Sequence, residues 1–255
     1  MEPRIKREAP SITTDLRSDT VQVPSVIRNC SGIRIFGKRI KSLIFTTDIA
    51  IILNNDADAV IAVYPFTPHP AVIQSIANVS TIPILSGVGG GTTQGKRSAN
   101  ISLFSEAQGS LAVVVNAPTP IDTIKQIEET VDIPIVCTIV TEYMDIQERL
   151  DAGVDILNVS GGKDTPYIVS RIRENFPDVP IIATGGPTDK TILDVINAGA
   201  NAISWTPPSN GELFRRKMDK YRNKEREKFM QEHQGMTIEE VEDLEELENL
   251  EDQRD

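Results

Sequence analysis

Three glycine-bearing stretches carry the residue types that could hold an anion. Each follows a short apolar run. Gly185 and Gly186 end VPIIAT, while Gly161, Gly162 and Lys163 follow VDILNVS. Backbone N–H groups freed at such strand ends, beside a helix N-terminus, suit a phosphate or carboxylate. A tight turn explains the same glycines without a ligand. The third stretch runs Gly87-Val-Gly-Gly-Gly-Thr-Thr-Gln-Gly-Lys-Arg97. Gly90 to Lys96 fits G-x-x-x-x-G-K, but Arg97 stands where a nucleotide-binding loop needs Ser or Thr for magnesium. The reading preferred is a mobile loop over a ligand site, with Lys96 and Arg97 offering cations, or else an ordinary solvated loop.

Candidates for moving protons come from position alone. Asp48 ends SLIFTT and is either an acid–base group or the cap of the next helix. His69 lies in Tyr-Pro-Phe-Thr-Pro-His-Pro, an aromatic, proline-stiffened loop suited to a pocket wall. Lys163 could stabilise developing negative charge, or simply face solvent. Glu142 follows a strand and equally suits a helix first turn. Asn116 and Asn158 end strands where polar groups can face a ligand. Only one histidine lies outside the C-terminal tail and the carboxylates are scattered, so no metal constellation is visible. There is no nucleophile elbow or Ser/His/Asp arrangement to argue for a hydrolase, although that class is not excluded.

The elements that must position these groups repeat. Eight β-branched runs, SLIFTT, ADAVIAV, IPILSGV, LAVVVN, IPIVCTIV, VDILNV, VPIIAT and ANAISW, alternate with segments of helical period. Ala-Gly-Val-Asp and Ala-Gly-Ala-Asn before the sixth and eighth runs are matching helix-to-strand turns. The pattern predicts an α/β fold, a single (β/α)₈ (TIM) barrel, over an open doubly wound sheet. IRIF, Gly37-Lys38 and RIKSLIF predict a hairpin that closes the barrel's far end. The expected organisation is a loose arm at 1–24, the barrel with its hairpin at 25–231, and an acidic tail at 232–255.

The run VPIIATGGPTDKTILDVINAGANAISW resembles the seventh and eighth units of phosphate-binding (β/α)₈ barrels of the ribulose-phosphate type. The resemblance implies a phosphate held by Gly185 and Gly186, with Gly161 and Gly162 contributing. Two departures stand out. Pro187 follows the glycine pair, and strand eight ends Ser204-Trp205-Thr206-Pro207-Pro208 without the usual glycine; Thr206 and Ser209 offer hydroxyl donors instead. A Schiff-base aldolase of this superfamily usually carries its lysine on a barrel strand. The sixth strand here has none, and Lys163 lies beyond it.

Composition limits the partners. Of the formal charge of −11, the stretch from Gln231 to Asp255 carries −10, with 11 acidic residues and one basic, so the remainder is nearly neutral. That excludes a nucleic-acid-binding surface. No apolar run approaches the ~20 residues that span a bilayer, and Cys30 and Cys137 read as reduced thiols, so a cytoplasmic protein is expected. Within the tail, Thr237 and Glu240 have capping-box spacing. Ile238, Val241, Leu244, Leu247 and Leu250 recur every third position, a stripe that drifts around a helix. The tail is a solvated acidic helix or docks on a partner or sister subunit, which leaves a homo-oligomer open. The expected function is metal-independent isomerase, epimerase or lyase chemistry on a small phosphorylated metabolite, with no cofactor. An FMN-dependent oxidoreductase and a non-catalytic phosphometabolite sensor are the alternatives.

Overall fold

Each of the eight predicted β-branched runs forms a strand, and their pairing closes. A computed structural model describes residues 10–17 and 19–244. A two-stranded antiparallel hairpin, β1 (Ile33–Ile35) and β2 (Lys38–Ile40), precedes the barrel strands β3 (Ser42–Phe45), β4 (Ala59–Ala62), β5 (Ile84–Gly89) and β6 (Ala112–Val115). β7 (Ile135–Ile139), β8 (Ile156–Val159), β9 (Ile181–Thr184) and β10 (Ala202–Trp205) complete a cylinder in which every pair is parallel and β10 returns to β3. The alternating helices are α1 (Ile49–Leu53), α2 (Pro70–Val79), α3 (Gly95–Ala107), α4 (Ile121–Glu128), α5 (Ile146–Asp151), α6 (Thr165–Asn175) and α7 (Asp189–Asn197). Gly153 and Gly199, in the two matching turns, have φ of +104° and +113°, a region costly for any residue with a Cβ.

Strand alternation sorts side chains into two cores. Outward residues such as Ile44, Val60, Ile135, Leu157 and Ile203 are buried beneath the helical layer. Inward residues Leu43, Ala59, Leu85, Val114, Val136, Ile156 and Ile182 form one cluster with Ile33, Ile35 and Ile40 of the hairpin. The hairpin therefore plugs the barrel at the N-terminal ends of its strands, as expected, and makes an apolar floor. Any ligand space lies at the other end.

From Val21 onward the segment before the hairpin is tied down more than a loose arm would be. Val21 N donates to Asn54 O (2.9 Å) and Val23 N to an Asp56 carboxylate oxygen (2.7 Å). The short turn Ser25–Asn29 buries Ile27 completely and packs on α7. The segment thus runs from the end of α1 to α7, outside the joined strands β10 and β3. Two polar networks lock the same end of the barrel. Asp58 accepts from Lys41 N (2.9 Å), Ser42 N (3.0 Å) and Ser42 Oγ (3.0 Å), with Arg28 Nη1 at 3.2 Å. Arg173 of α6 donates to the carbonyls of Pro177 (2.6 Å), Val179 (2.9 Å) and Gly199 (2.9 Å) and to Asn201 Oδ1 (3.0 Å).

The compact barrel unit ends at Pro207, not near residue 231 as expected. Helix α8 (Asn210–Glu232) has no buried residue and belongs with the tail. The physical reason is its composition: charged residues surround its few apolar ones, leaving no continuous stripe to bury. In that second unit, residues 238–244 are helical and Thr237 and Glu240 form the predicted reciprocal cap. Leu247 and Leu250 of the drifting stripe lie outside the described residues. No helix among the described residues is long and apolar enough to cross a membrane.

Candidate active site

At the C-terminal ends of the barrel strands lies a cavity of about 240 Å³. Its wall has two characters. From β3, β4 and the residue after β4 come Phe45, Ile61 and Val63. From the other side come only short neutral polar groups: Thr138, Asn158, Thr184 and Ser204 on the strands, and Asn116, Ser160 and Thr206 just beyond them. Among the described residues, no Lys, Arg, His, Asp or Glu lines it. β5 contributes no side chain, because its inward position beside Val63 is Gly87, where a Cβ would lie 3.1 Å from Val63 Cγ2.

Two internal bonds order this wall. Asn158 Nδ2 donates to Thr138 Oγ1 (3.3 Å), and Thr184 Oγ1 donates to Ser160 Oγ (3.2 Å). Asn158 is only 8% exposed, and its Oδ1 is buried with no partner among the described residues. A buried acceptor left alone costs about 1–3 kcal/mol, so an isolated Asn158 oxygen at a cavity wall is an unusual feature. It is the strongest mark of a ligand position in the barrel.

Of the residues singled out from sequence, Asn116, Asn158 and Thr206 line this cavity, and none of the other expected catalytic or phosphate-binding residues does. Asp48 is the N-cap of α1, its Oδ1 accepting from Ala50 N (2.9 Å) and Ile51 N (3.1 Å). His69 caps α2 through Nδ1, which accepts from Ala71 N (3.1 Å), and its exposed ring lies with Arg97, Asn100 and Phe104 in a separate surface concavity. Lys96 and Arg97 project from the first turn of α3, and Lys163 from the single turn Gly162–Asp164; all three are exposed. Ser209 belongs to the other unit, where its hydroxyl accepts from Glu212 N (3.2 Å) and caps α8. The expected catalytic set Asp48, His69 and Lys163 is therefore not brought together, because local capping already uses two of its members.

The expected phosphate cup also changes. Gly185 N donates to Ser204 O (3.1 Å), extending the β9–β10 ladder, and Gly161 N donates to Thr165 Oγ1 (3.1 Å). Thr188 and Thr191 cap the first turn of α7 reciprocally. Packing accounts for the glycine pair. A Cβ on Gly185 would lie 2.7 Å from Ile203 Cγ2, and one on Gly186, whose φ is +73°, would lie 2.7 Å from Thr191 Oγ1. Of the four glycine amides, those of Gly162 and Gly186 have no acceptor among the described residues.

The glycine-rich loop is likewise built inward. Gly90 N donates to Thr93 O (2.9 Å), and Gln94 Nε2 donates to Gly91 O (2.7 Å). A Cβ on Gly90 would stand 2.4 Å from Asn116 Cβ, so this glycine lets the loop seat Asn116 at the cavity. Thr138, Ser160, Thr184 and Ser204 were missed from sequence. Their signal is parity: each lies two or four residues beyond an inward apolar residue of its own strand, namely Val136, Ile156, Ile182 and Ala202. Among the described residues, no three His, Cys, Asp or Glu side chains converge as metal ligands do.

No protein-family model matches the chain, and no curated protein matches it. Solved structures do. The chain is similar to phosphonopyruvate hydrolase, with a TM-score of 0.55 and 14% identity over 89% of this chain and 95% of that one. It is similar to a putative phosphonomutase from Burkholderia cenocepacia J2315, with a TM-score of 0.52 and 16% identity over 65% of this chain and 85% of that one. A putative dihydrodipicolinate synthetase from Pseudomonas aeruginosa has a TM-score of 0.51 and 14% identity over 64% of this chain and 69% of that one. At such identities the likeness is one of architecture. The chain is a (β/α)₈ barrel, and the narrower ribulose-phosphate type drawn from its last two units is not carried by these structures.

Proposed function

We propose that the barrel mouth is the substrate site of a lyase-type enzyme acting on a small polar metabolite. The observation that carries this reading is the cavity at the C-terminal strand ends, the place where characterised (β/α)₈ enzymes hold their active sites. The reaction class leans on the names of the similar structures, a hydrolase of phosphonopyruvate, a phosphonomutase and a dihydrodipicolinate synthetase. A phosphorylated substrate is not part of the reading, because none of the four glycines lines the cavity and the amides of Gly161 and Gly185 are already donated. An FMN cofactor loses the same support.

The wall can polarise a carbonyl or hydroxyl through fixed hydroxyl and amide dipoles, which act without reorganising. It holds no group that takes a proton near neutral pH. Proton transfer therefore falls to the loops around the mouth, which carry Lys96 and Lys163. The test is incubation of the full chain with small hydroxy-carbonyl compounds in deuterated buffer, followed by proton NMR. Chain-dependent cleavage or deuterium exchange next to the carbonyl, lost in Thr184→Trp, is expected. Compounds that bind in the mouth yet neither exchange nor cleave would make this a binding barrel, the non-catalytic alternative.

A further inference from the structure

The cavity's lining also specifies the charge of what it holds, granted the proposal that this mouth is the substrate site. We infer that the ligand portion seated in the mouth is uncharged and turns a hydrogen-bond donor toward Asn158 Oδ1.

The first argument is electrostatic. An anion entering the cavity leaves water and meets no counter-charge, because every lining side chain among the described residues is neutral. Moving a carboxylate or phosphate out of water without a paired charge is expensive. Preorganised neutral donors offset only part of that cost, and two of this wall's donors are already turned to other groups of the wall. Asn158 Nδ2 is directed to Thr138 Oγ1, and Thr184 Oγ1 to Ser160 Oγ. The unpartnered buried atom is an acceptor, Asn158 Oδ1. An acceptor repels an anion and is satisfied by an O–H or N–H.

The second argument is shape. One wall is apolar, formed by Phe45, Ile61 and Val63, and it faces hydroxyls and amides across the cavity. A molecule with a C–H face and a hydroxyl or amide edge fits both. The volume of 240 Å³ corresponds to about eight waters at ~30 Å³ each. Small polyols and hydroxy-amides meet all three requirements. A two-carbon dianion meets only the size requirement.

The experiment titrates the ¹⁵N-labelled full chain with erythritol and lactamide as uncharged probes, and with oxalate and pyruvate as anionic ones. It is repeated for Asn158→Leu, Asn158→Asp and Thr184→Trp. Expected are shifts at residues lining the mouth with at least one uncharged probe, abolished by Thr184→Trp. Asn158→Leu should weaken that probe at least tenfold. Asn158→Asp, which keeps an acceptor at the same place but adds a charge and loses the bond to Thr138, should weaken that probe less than Asn158→Leu does. It also keeps the test alive if the leucine variant does not fold. Tighter binding of oxalate or pyruvate in the mouth, or an unchanged affinity in Asn158→Leu, overturns the inference and leaves the substrate-site reading standing. If no probe of either kind perturbs the mouth, the site reading fails and takes the inference with it.

Discussion

Replacing Arg173 by Met tests whether one guanidinium fastens the entries to β9 and β10, two of the strands that carry the polar wall. Its four short bonds, at 2.6, 2.9, 2.9 and 3.0 Å, cross from α6 to the loops before both strands. Burial lowers its pKa, the nearby Asp178 opposing this, so the group is held partly out of water. Hydrogen bonds to charged groups are each worth roughly 1.5–3 kcal/mol net when buried. The Pro177 contact is exposed and its carbonyl recovers water, so it adds little. The three part-buried contacts share one side chain and are not additive. A loss of about 3 kcal/mol is therefore expected, or roughly 6–12 °C in melting temperature for a chain of this size. Arg173→Lys should recover less than half, since an ammonium cannot fork to acceptors on two loops. Urea unfolding followed by circular dichroism reads both variants. A change below about 0.5 kcal/mol in Arg173→Met would show that these carbonyls are solvated in solution, and the fastening would be refuted.

Burial tends to raise the Asp58 carboxyl, but bonds from Lys41 N, Ser42 N and Ser42 Oγ and the charge of Arg28 outweigh it, so it lies below its ordinary 3.8. Its stabilisation is thus present above that unfolded value and lost as pH falls through the lower folded one. Asp58→Asn should cost about 1–3 kcal/mol at pH 7, with the gap from wild type closing toward pH 3. Urea midpoints that differ equally at both pH values would contradict this. Gly90→Ala, at φ +119° and against Asn116, should cost about 2–4 kcal/mol from backbone strain and overpacking together. Adding Asn116→Gly should restore the overpacking part, and urea midpoints of the single and double variants measure it.

The strands and the plug were legible because both rest on strong, redundant signals. Buried parallel strands must be β-branched runs, and β1 and β2 place Ile33, Ile35 and Ile40 on one face with a glycine at the turn. The polar wall was less legible, because Ser and Thr in a strand do not announce their side. Ser86 lies on β5, buried and bonded to Ser110 Oγ at 2.7 Å, without lining the cavity, whereas Ser204 and Thr184 do line it. Only counting parity from an inward residue separates the two cases. Glycine misled for a related reason. It signals that something approaches the backbone closely, but not what. At Gly185 the neighbour is Ile203, at Gly186 Thr191 and at Gly90 Asn116, all parts of the fold. Asp48 and His69 were similarly ambiguous, since a residue well placed to meet a ligand at a strand end is also well placed to cap the next helix.

The closed floor gives the unpartnered oxygen of Asn158 a consequence for stability as well as for binding. Inward residues from Leu43 to Ile182 and the hairpin isoleucines leave apolar packing beneath the polar wall. In such surroundings a satisfied hydrogen bond gains strength and a lone acceptor is more costly. Where no water reaches this oxygen, it costs the barrel about 1–3 kcal/mol. Asn158→Leu removes the acceptor at similar volume. It also removes the 3.3 Å bond to Thr138, whose hydroxyl is only partly buried and can turn to water. The unliganded variant should accordingly be about 1 kcal/mol more stable than wild type by urea unfolding, the balance of the two terms, while losing affinity for its ligand. Gain of stability with loss of binding is the mark of a residue kept for function against the interest of the fold. If the variant is instead less stable by 1 kcal/mol or more, water already satisfies the oxygen in solution, and Asn158 is an ordinary wall residue.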